Sequence, residues 1–317
     1  MPAPLRPRTG RISDLLSHYA PLLVSLKSSA PPLPAYFDDL WLLRFLVSAA
    51  GRAAAAADDA AVLAAASAKL RVALEYRRLH EGWLASARDA AKAARKAGDA
   101  VASGPALFNR LMALLPCGYH EGAREGSGSA LFVYRLGETA YRDIGKLAPF
   151  SELFHVFVWA AEAQYAFLDG ISRDEGVLTR AMYILDMSNL QMFGRFGILN
   201  PAFHRVQNAL SKHNETHYPA LEDRLVVVNA PWVARKAMRT FEGLAPSYAK
   251  KVIVCPQSIG GEGPGGAKGC PFAERSLQLE LLPTFLGGDC THSERGGCMG
   301  SNSAEEDSLG RNCSSRF

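Results

Sequence analysis

The strongest constraint on how this chain folds is an alternation of two periods in its second half. Four short apolar runs, Ala130–Leu136, Arg180–Met187, Leu225–Val228 and Lys251–Val254, are rich in β-branched and large apolar residues. Continuous apolar runs of this length are what strands buried on both faces look like. Between them lie longer stretches whose apolar residues recur at helical spacing: about Pro149–Leu168, Asn200–Ser211 and Trp232–Leu244. Strands that alternate with helices pack as a largely parallel sheet joined by crossover helices. The expected fold class is therefore α/β.

The first hundred residues carry no such runs. Asp38-Asp39 precede an apolar turn, Asp58-Asp59 open a second helical pattern, and Glu81–Val101 forms a third, Ala-rich one with Lys and Arg. Acidic residues at a helix start complement its dipole, which supports these boundaries. This predicts an all-helical N-terminal lobe. The expected division is a flexible segment 1–35 holding one short helix from Ile12 to Ala20 closed by Pro21, a helical lobe 36–105, an α/β domain 106–290, and a disordered polar tail 291–317.

Net charge is +4, from 35 basic and 31 acidic residues. That balance is too mild to point to nucleic acid, but it suits brief contact with an anionic membrane. No apolar run approaches the ~18 residues of a membrane span, and Leu22-Leu23-Val24 is too short for a signal segment. The expected setting is cytoplasmic with peripheral membrane contact. The six cysteines show no C-x-x-C pair, which argues for reduced thiols and against a metal site. The Gly-rich stretch Ser258–Gly269 lacks the Gly-Lys-Ser/Thr that a phosphate loop needs. With no Gly-x-Ser-x-Gly and no His-Glu-x-x-His, the chain reads as a non-enzyme without a cofactor.

One local feature asks for a function. The strand Leu225–Val228 stops at Asn229-Ala230-Pro231, and the helix that follows sets Arg235, Lys236 and Arg239 against Trp232, Met238 and Phe241. Proline lacks a backbone donor, so Pro231 ends a central strand and suits a first helical turn. Such a helix is either a crossover with a wet basic side or a cover over an apolar space whose basic side meets anionic headgroups.

Several fragments, each weak alone, occur in an order that is specific. They are Leu42-Leu43-Arg44-Phe45-Leu46, Leu74-Glu75-Tyr76-Arg77, Val133-Tyr134-Arg135-Leu136-Gly137, Ile184-Leu185-Asp186-Met187, His217-Tyr218-Pro219, Asn229-Ala230-Pro231, Lys250-Lys251-Val252 and Leu282-Pro283 to Gly287-Gly288. Over about residues 36–290 the chain resembles the Sec14-like, or CRAL-TRIO, lipid-binding and lipid-transfer proteins. The resemblance implies a small helical lobe on an α/β lobe whose sheet floors an apolar pocket. It also implies that the helix after Pro231 gates that pocket.

The function implied is a carrier that takes up one hydrophobic ligand, a phospholipid first, and transfers or presents it between membranes. The implied ligand contacts are Lys251, Tyr183, Met187, Phe193, Trp232 and Phe241, with Arg235, Lys236 and Arg239 docking the gate on the membrane. Lys251 matches the position that meets inositol phosphate in the family. The acid expected directly after Tyr218-Pro219 is replaced by Ala220, and the Ser and Thr of a choline-phosphate site by Ala181 and Tyr183. Ala49 lies where the family has basic residues. Two alternatives follow: a protein-binding scaffold of the same fold, or a carrier of a sterol, tocopherol or retinoid. A monomer is expected, since its gate must approach a bilayer.

Overall fold

A computed structural model gives the structure of the protein; it describes residues 9–52, 58–97, 104–120, 128–191, 201–231, 251–255, 272, 277–278 and 282–288. The helical lobe contains α1 (Ile12–Ser29), α2 (Asp39–Arg52) and α3 (Asp59–Ala97), followed by α4 (Ala106–Met112). The α/β part follows as β1 (Cys117–His120), β2 (Ala130–Arg135), α5 (Tyr141–Leu147), α6 (Phe150–Glu175), β3 (Ala181–Asp186), α7 (Pro201–His217), β4 (Glu222–Val228) and β5 (Val252–Val254). The five strands lie in sequence order. β2, β3, β4 and β5 are parallel, and β1 joins the β2 edge antiparallel. The mixed α/β class, the helical N-terminal region and the mostly parallel sheet are as the sequence predicts.

Two local expectations of secondary structure change. The short helix ending at Pro21 instead continues through Pro21 to Ser29, and segment 1–35 is not loose over this range. Leu15, Tyr19, Leu22, Leu23 and Leu26 are all buried along one stripe, and that burial outweighs the missing proline donor. Its start is also pinned, because Ile12 N–H donates to the Gly176 carbonyl. The separate patterns beginning at Asp58 and at Glu81 correspond to two helical stretches of α3 that meet at a non-helical kink, where His80 has φ −120° and ψ 17°, as the sequence predicts. β1 has no signal in the sequence, since Cys-Gly-Tyr-His neither alternates nor forms an aliphatic run, yet all four residues are buried. Cys117 is buried outside any disulfide and donates to Met112 Sδ at 3.9 Å, whereas Cys255 is disulfide-bonded, which corrects the expectation of reduced thiols at that position.

One core spans the helical lobe and the sheet. It runs from Leu15 and Tyr19 through Leu42, Phe45 and Leu70 to Tyr165, Phe132 and Tyr183. Three buried arginines tie the parts together. Arg44 donates to the Thr179 carbonyl at 3.2 Å and to Ser172 Oγ at 2.9 Å. Arg77 meets Glu162 at 2.6 Å, and Arg88 meets the same carboxylate oxygen at 2.7 Å. The Arg77 guanidinium also stacks over Trp41 at 4.9 Å and Tyr218 at 5.3 Å.

Gly137, in the turn after β2, is a close-approach glycine. A Cβ there would lie 1.5 Å from the Ser188 carbonyl oxygen and 2.9 Å from Leu190 N. Backbone on both sides leaves no flexible atom to yield. Gly137→Ala is expected to cost about 2–3 kcal/mol through overpacking, read as a lower urea midpoint with an unchanged slope.

Candidate functional site

The pleat divides the sheet into two faces of different character. Register places Tyr119, Phe132, Tyr183, Leu225 and Val252 in one cross-strand row. The next row on that face is Cys117, Tyr134, Leu185, Val227 and Val254. The first row is thus aromatic from β1 to β3 and the second at Tyr134, while both are aliphatic on β4 and β5. The opposite face carries Leu131, Val133, Met182, Ile184, Val226 and Val228 and is packed by Leu277, Leu282 and Leu286.

α6 covers the aromatic half of the first face. Phe167 meets Tyr119 edge-on at 5.0 Å, and the Tyr183 hydroxyl donates to Gln164 Oε1 at 3.0 Å. The aliphatic half is less covered: Leu185, Leu190, Leu225, Val252 and Val254 are only half-buried. Met187 is buried with Val227 and Ala230, and Leu185 and Leu190 bridge this group to the main core. Tyr183, Leu185 and Met187 therefore share a face, at the i, i+2, i+4 spacing of a strand. Met182, beside Tyr183 in the strand, points to the other face and packs in the second cluster.

Lys251 sits at the start of β5, beside the aliphatic half. Its Nζ donates to the Glu222 carbonyl at 3.4 Å. Burial raises the Glu222 carboxyl above its usual range, and the Lys251 ammonium opposes that rise. The acid missing at position 220 thus has a neighbour that reaches the same lysine. Asp223 is committed elsewhere, to Arg180 at 2.8 Å. Ala220 itself adopts φ 56° in the turn before β4.

The end of β4 is held by a clasp absent from the sequence-based residue set. Asp186, fully buried, accepts from Ser188 N–H at 2.9 Å and Ser188 Oγ at 2.8 Å. It also accepts from Asn229 Nδ2 at 2.8 Å. Asn229 has φ 54°, a left-handed conformation that asparagine tolerates better than most residues. The Asn-Ala-Pro signal marks the stop; the carboxylate that fixes it comes from the neighbouring strand. Phe193, Trp232, Arg235, Lys236, Arg239 and Phe241 lie outside the described residues, as does the whole helix expected after Pro231.

A separate groove of about 620 Å³ lies away from this face, between the start of α6 and α7, lined by Phe150, His204, Arg205 and Lys212 among others. Arg205 stacks over Phe150 at 4.5 Å. Among the described residues no helix is long and apolar enough to cross a membrane, and no group of three or more His, Cys, Asp or Glu is arranged to hold a metal.

Comparison with known proteins finds one matching domain family and the following similar proteins. The CRAL/TRIO domain family matches residues 118–260, which begin within β1 and extend beyond β5. Phosphatidylinositol/phosphatidylcholine transfer protein SFH11 of Arabidopsis thaliana is 27% identical over 190 residues, covering 58% of this chain and 46% of that protein. The chain thus spans about half the length of this relative. Among solved structures, that of Sfh5 aligns over 77% of this chain and 78% of its own, with 11% identity and a TM-score of 0.46. Residues 118–260, which hold the parallel part of the sheet, are thus similar to the CRAL/TRIO domain family.

Proposed function

We propose that the protein binds a single hydrophobic ligand against the half-covered aliphatic side of its sheet and transfers or presents it between membranes. The observation that carries this reading is the pair of rows ending in Leu225, Val252 and Val254, half-buried apolar carbon beside a cationic Lys251. Each methylene withdrawn from water there is worth about 0.8 kcal/mol, so an acyl chain has reason to occupy such a floor. No bond changes in this process, and the reading asks for no catalytic group.

In this proposal 106–290 is the lipid-binding unit and 36–105 its buttress. The helix after Pro231 serves as gate, with Trp232 and Phe241 toward the ligand and Arg235, Lys236 and Arg239 toward anionic lipid. Tyr183, Met187 and Phe193 line the cavity. Lys251 with Glu222 forms the headgroup end, which suits an inositol phosphate: the cation meets phosphate, and the carboxylate accepts from sugar hydroxyls. SFH11 is named for transfer of phosphatidylinositol and phosphatidylcholine, which supports a phospholipid. A neutral lipid is the second reading. Ala181 and Tyr183, where a choline phosphate would want two hydroxyl donors, favour it.

Native mass spectrometry of the purified full chain tests the first claim, because a bound lipid appears at its own mass. In a vesicle assay, Lys251→Ala is expected to lower phosphatidylinositol transfer about tenfold, the equivalent of ~1.4 kcal/mol, and leave phosphatidylcholine transfer nearly unchanged. Equal transfer of both lipids by variant and parent would remove Lys251 from the headgroup site. A bound sterol or isoprenoid with no phospholipid would select the second reading.

A further inference from the structure

Four of the eight histidines meet where α7 packs on α3 and α6, apart from the residues proposed above for the ligand. His213 and His217, one turn apart on α7, stack with ring centres 3.9 Å apart. Tyr76 of α3 lies edge-on to both, at 4.6 Å and 4.8 Å. His80, at the α3 kink, lies 4.4 Å from Tyr76 and 6.0 Å from His155 of α6. Phe154 of α6 closes the group, edge-on to His213 at 5.6 Å. Exposure is graded: His155 is exposed, His80 and His217 are half-buried, and His213 is buried. His213 Nε2 is buried with no hydrogen-bond partner.

The charges facing His213 are unfavourable to a second positive one. From α3 it faces Arg77 and His80, and from its own helix His217. The carboxylate contributed by α6, Glu162, is engaged by Arg77 and Arg88. Tyr218, just after α7, adds an uncharged ring at 5.8 Å, and α5 touches α7 through Tyr141 on Phe203, near the helix's other end. Lys212 and Glu215 of α7 are exposed. A proton on His213 therefore meets low polarity and like charge, with no uncommitted acid beside it among the described residues. We propose that this junction is a proton-operated latch: His213 and His217, uncharged, hold α7 on α3 and α6, and proton uptake frees α7.

Burial, then His217 and Arg77, push His213 down from its usual 6.5 to about 3, and burial also lowers His217. A detached α7 takes up protons near 6.5, whereas the docked one does not. The docked state is thus fully favoured above that pH and loses ground as pH falls toward 3. α7 leads through Tyr218-Pro219 into β4, so its release reaches the strand that carries the Asn229 stop.

Hydrogen exchange of α7 amides, corrected for intrinsic rates, measures the opening. For one histidine of ordinary pKa in the open state, the opening constant is expected to rise about 25-fold between pH 7 and pH 5. His213→Phe keeps the aromatic contacts and is expected to reduce that rise by about the same factor, while His18→Phe, at an exposed site, leaves it unchanged. An identical pH response in His213→Phe and the parent would overturn the latch. A measurement on the parent protein needs no variant: the His213 ring resonance is expected to show no protonation by pH 5. A midpoint near 6.5 would equally overturn the proposal, whatever lipid the protein carries.

Discussion

Glu162→Ala is expected to lower the stability of the protein by about 3–5 kcal/mol, seen as a large fall in the urea midpoint. The carboxylate is fully buried and faces Arg77 and Arg88 at 2.6 and 2.7 Å. Removing it leaves the Arg77 guanidinium, 1% exposed, with no counter-charge among aromatic rings. The loss comes mainly from that stranded cation, because a buried ion pair gains little net energy over apolar residues of the same shape. The double variant Glu162→Leu with Arg77→Met is therefore expected to regain much of the stability. If Glu162→Ala cost less than about 1 kcal/mol, the buried network would not be the weld between α3 and α6.

Asp186→Ala is the second large effect, expected at about 3 kcal/mol. Three hydrogen bonds to this carboxylate disappear, and bonds to a charged partner are worth about 1.5–3 kcal/mol each. Ser188 and Asn229 recover part of the loss from water, since both are half-buried. The change has a local signature. Hydrogen-exchange protection should fall first at residues 187–190 and 229–230, before the strands themselves open. In the lipid-transfer reading this clasp sets where the chain leaves the sheet for the gate, so ligand exchange should quicken in the same variant. Unaltered protection at 229–230 would show that Asn229 keeps its left-handed turn without Asp186.

Much of the fold was legible because it rests on local pattern. The runs around Phe132, Ile184 and Val227 are buried on both faces of a parallel sheet, and a continuous apolar run is the direct trace of that burial. The helix ahead of β3 likewise shows its apolar stripe. Its true end is Gly176, with φ 65°, a glycine cap beyond the predicted boundary. Arg44 and Arg77 stood out only as parts of recurring fragments. Their use is as buried ties between helices far apart in sequence, and no spacing rule reveals a partner 85 residues away.

The sequence by itself determined the alternation of strand and helix, the stop at Asn229-Ala230-Pro231, and the placement of Tyr183 and Met187 on one side of their strand, because periods of 2 and 3.6 are properties of the backbone. Only the tertiary structure decided that α1 continues through Pro21, that Cys-Gly-Tyr-His becomes an edge strand, that Lys251 donates to the Glu222 carbonyl while Asp223 pairs with Arg180, and that scattered histidines gather on Tyr76. Each of these depends on packing energy between segments distant in the chain. That energy outweighs local preference, and it leaves no periodic mark.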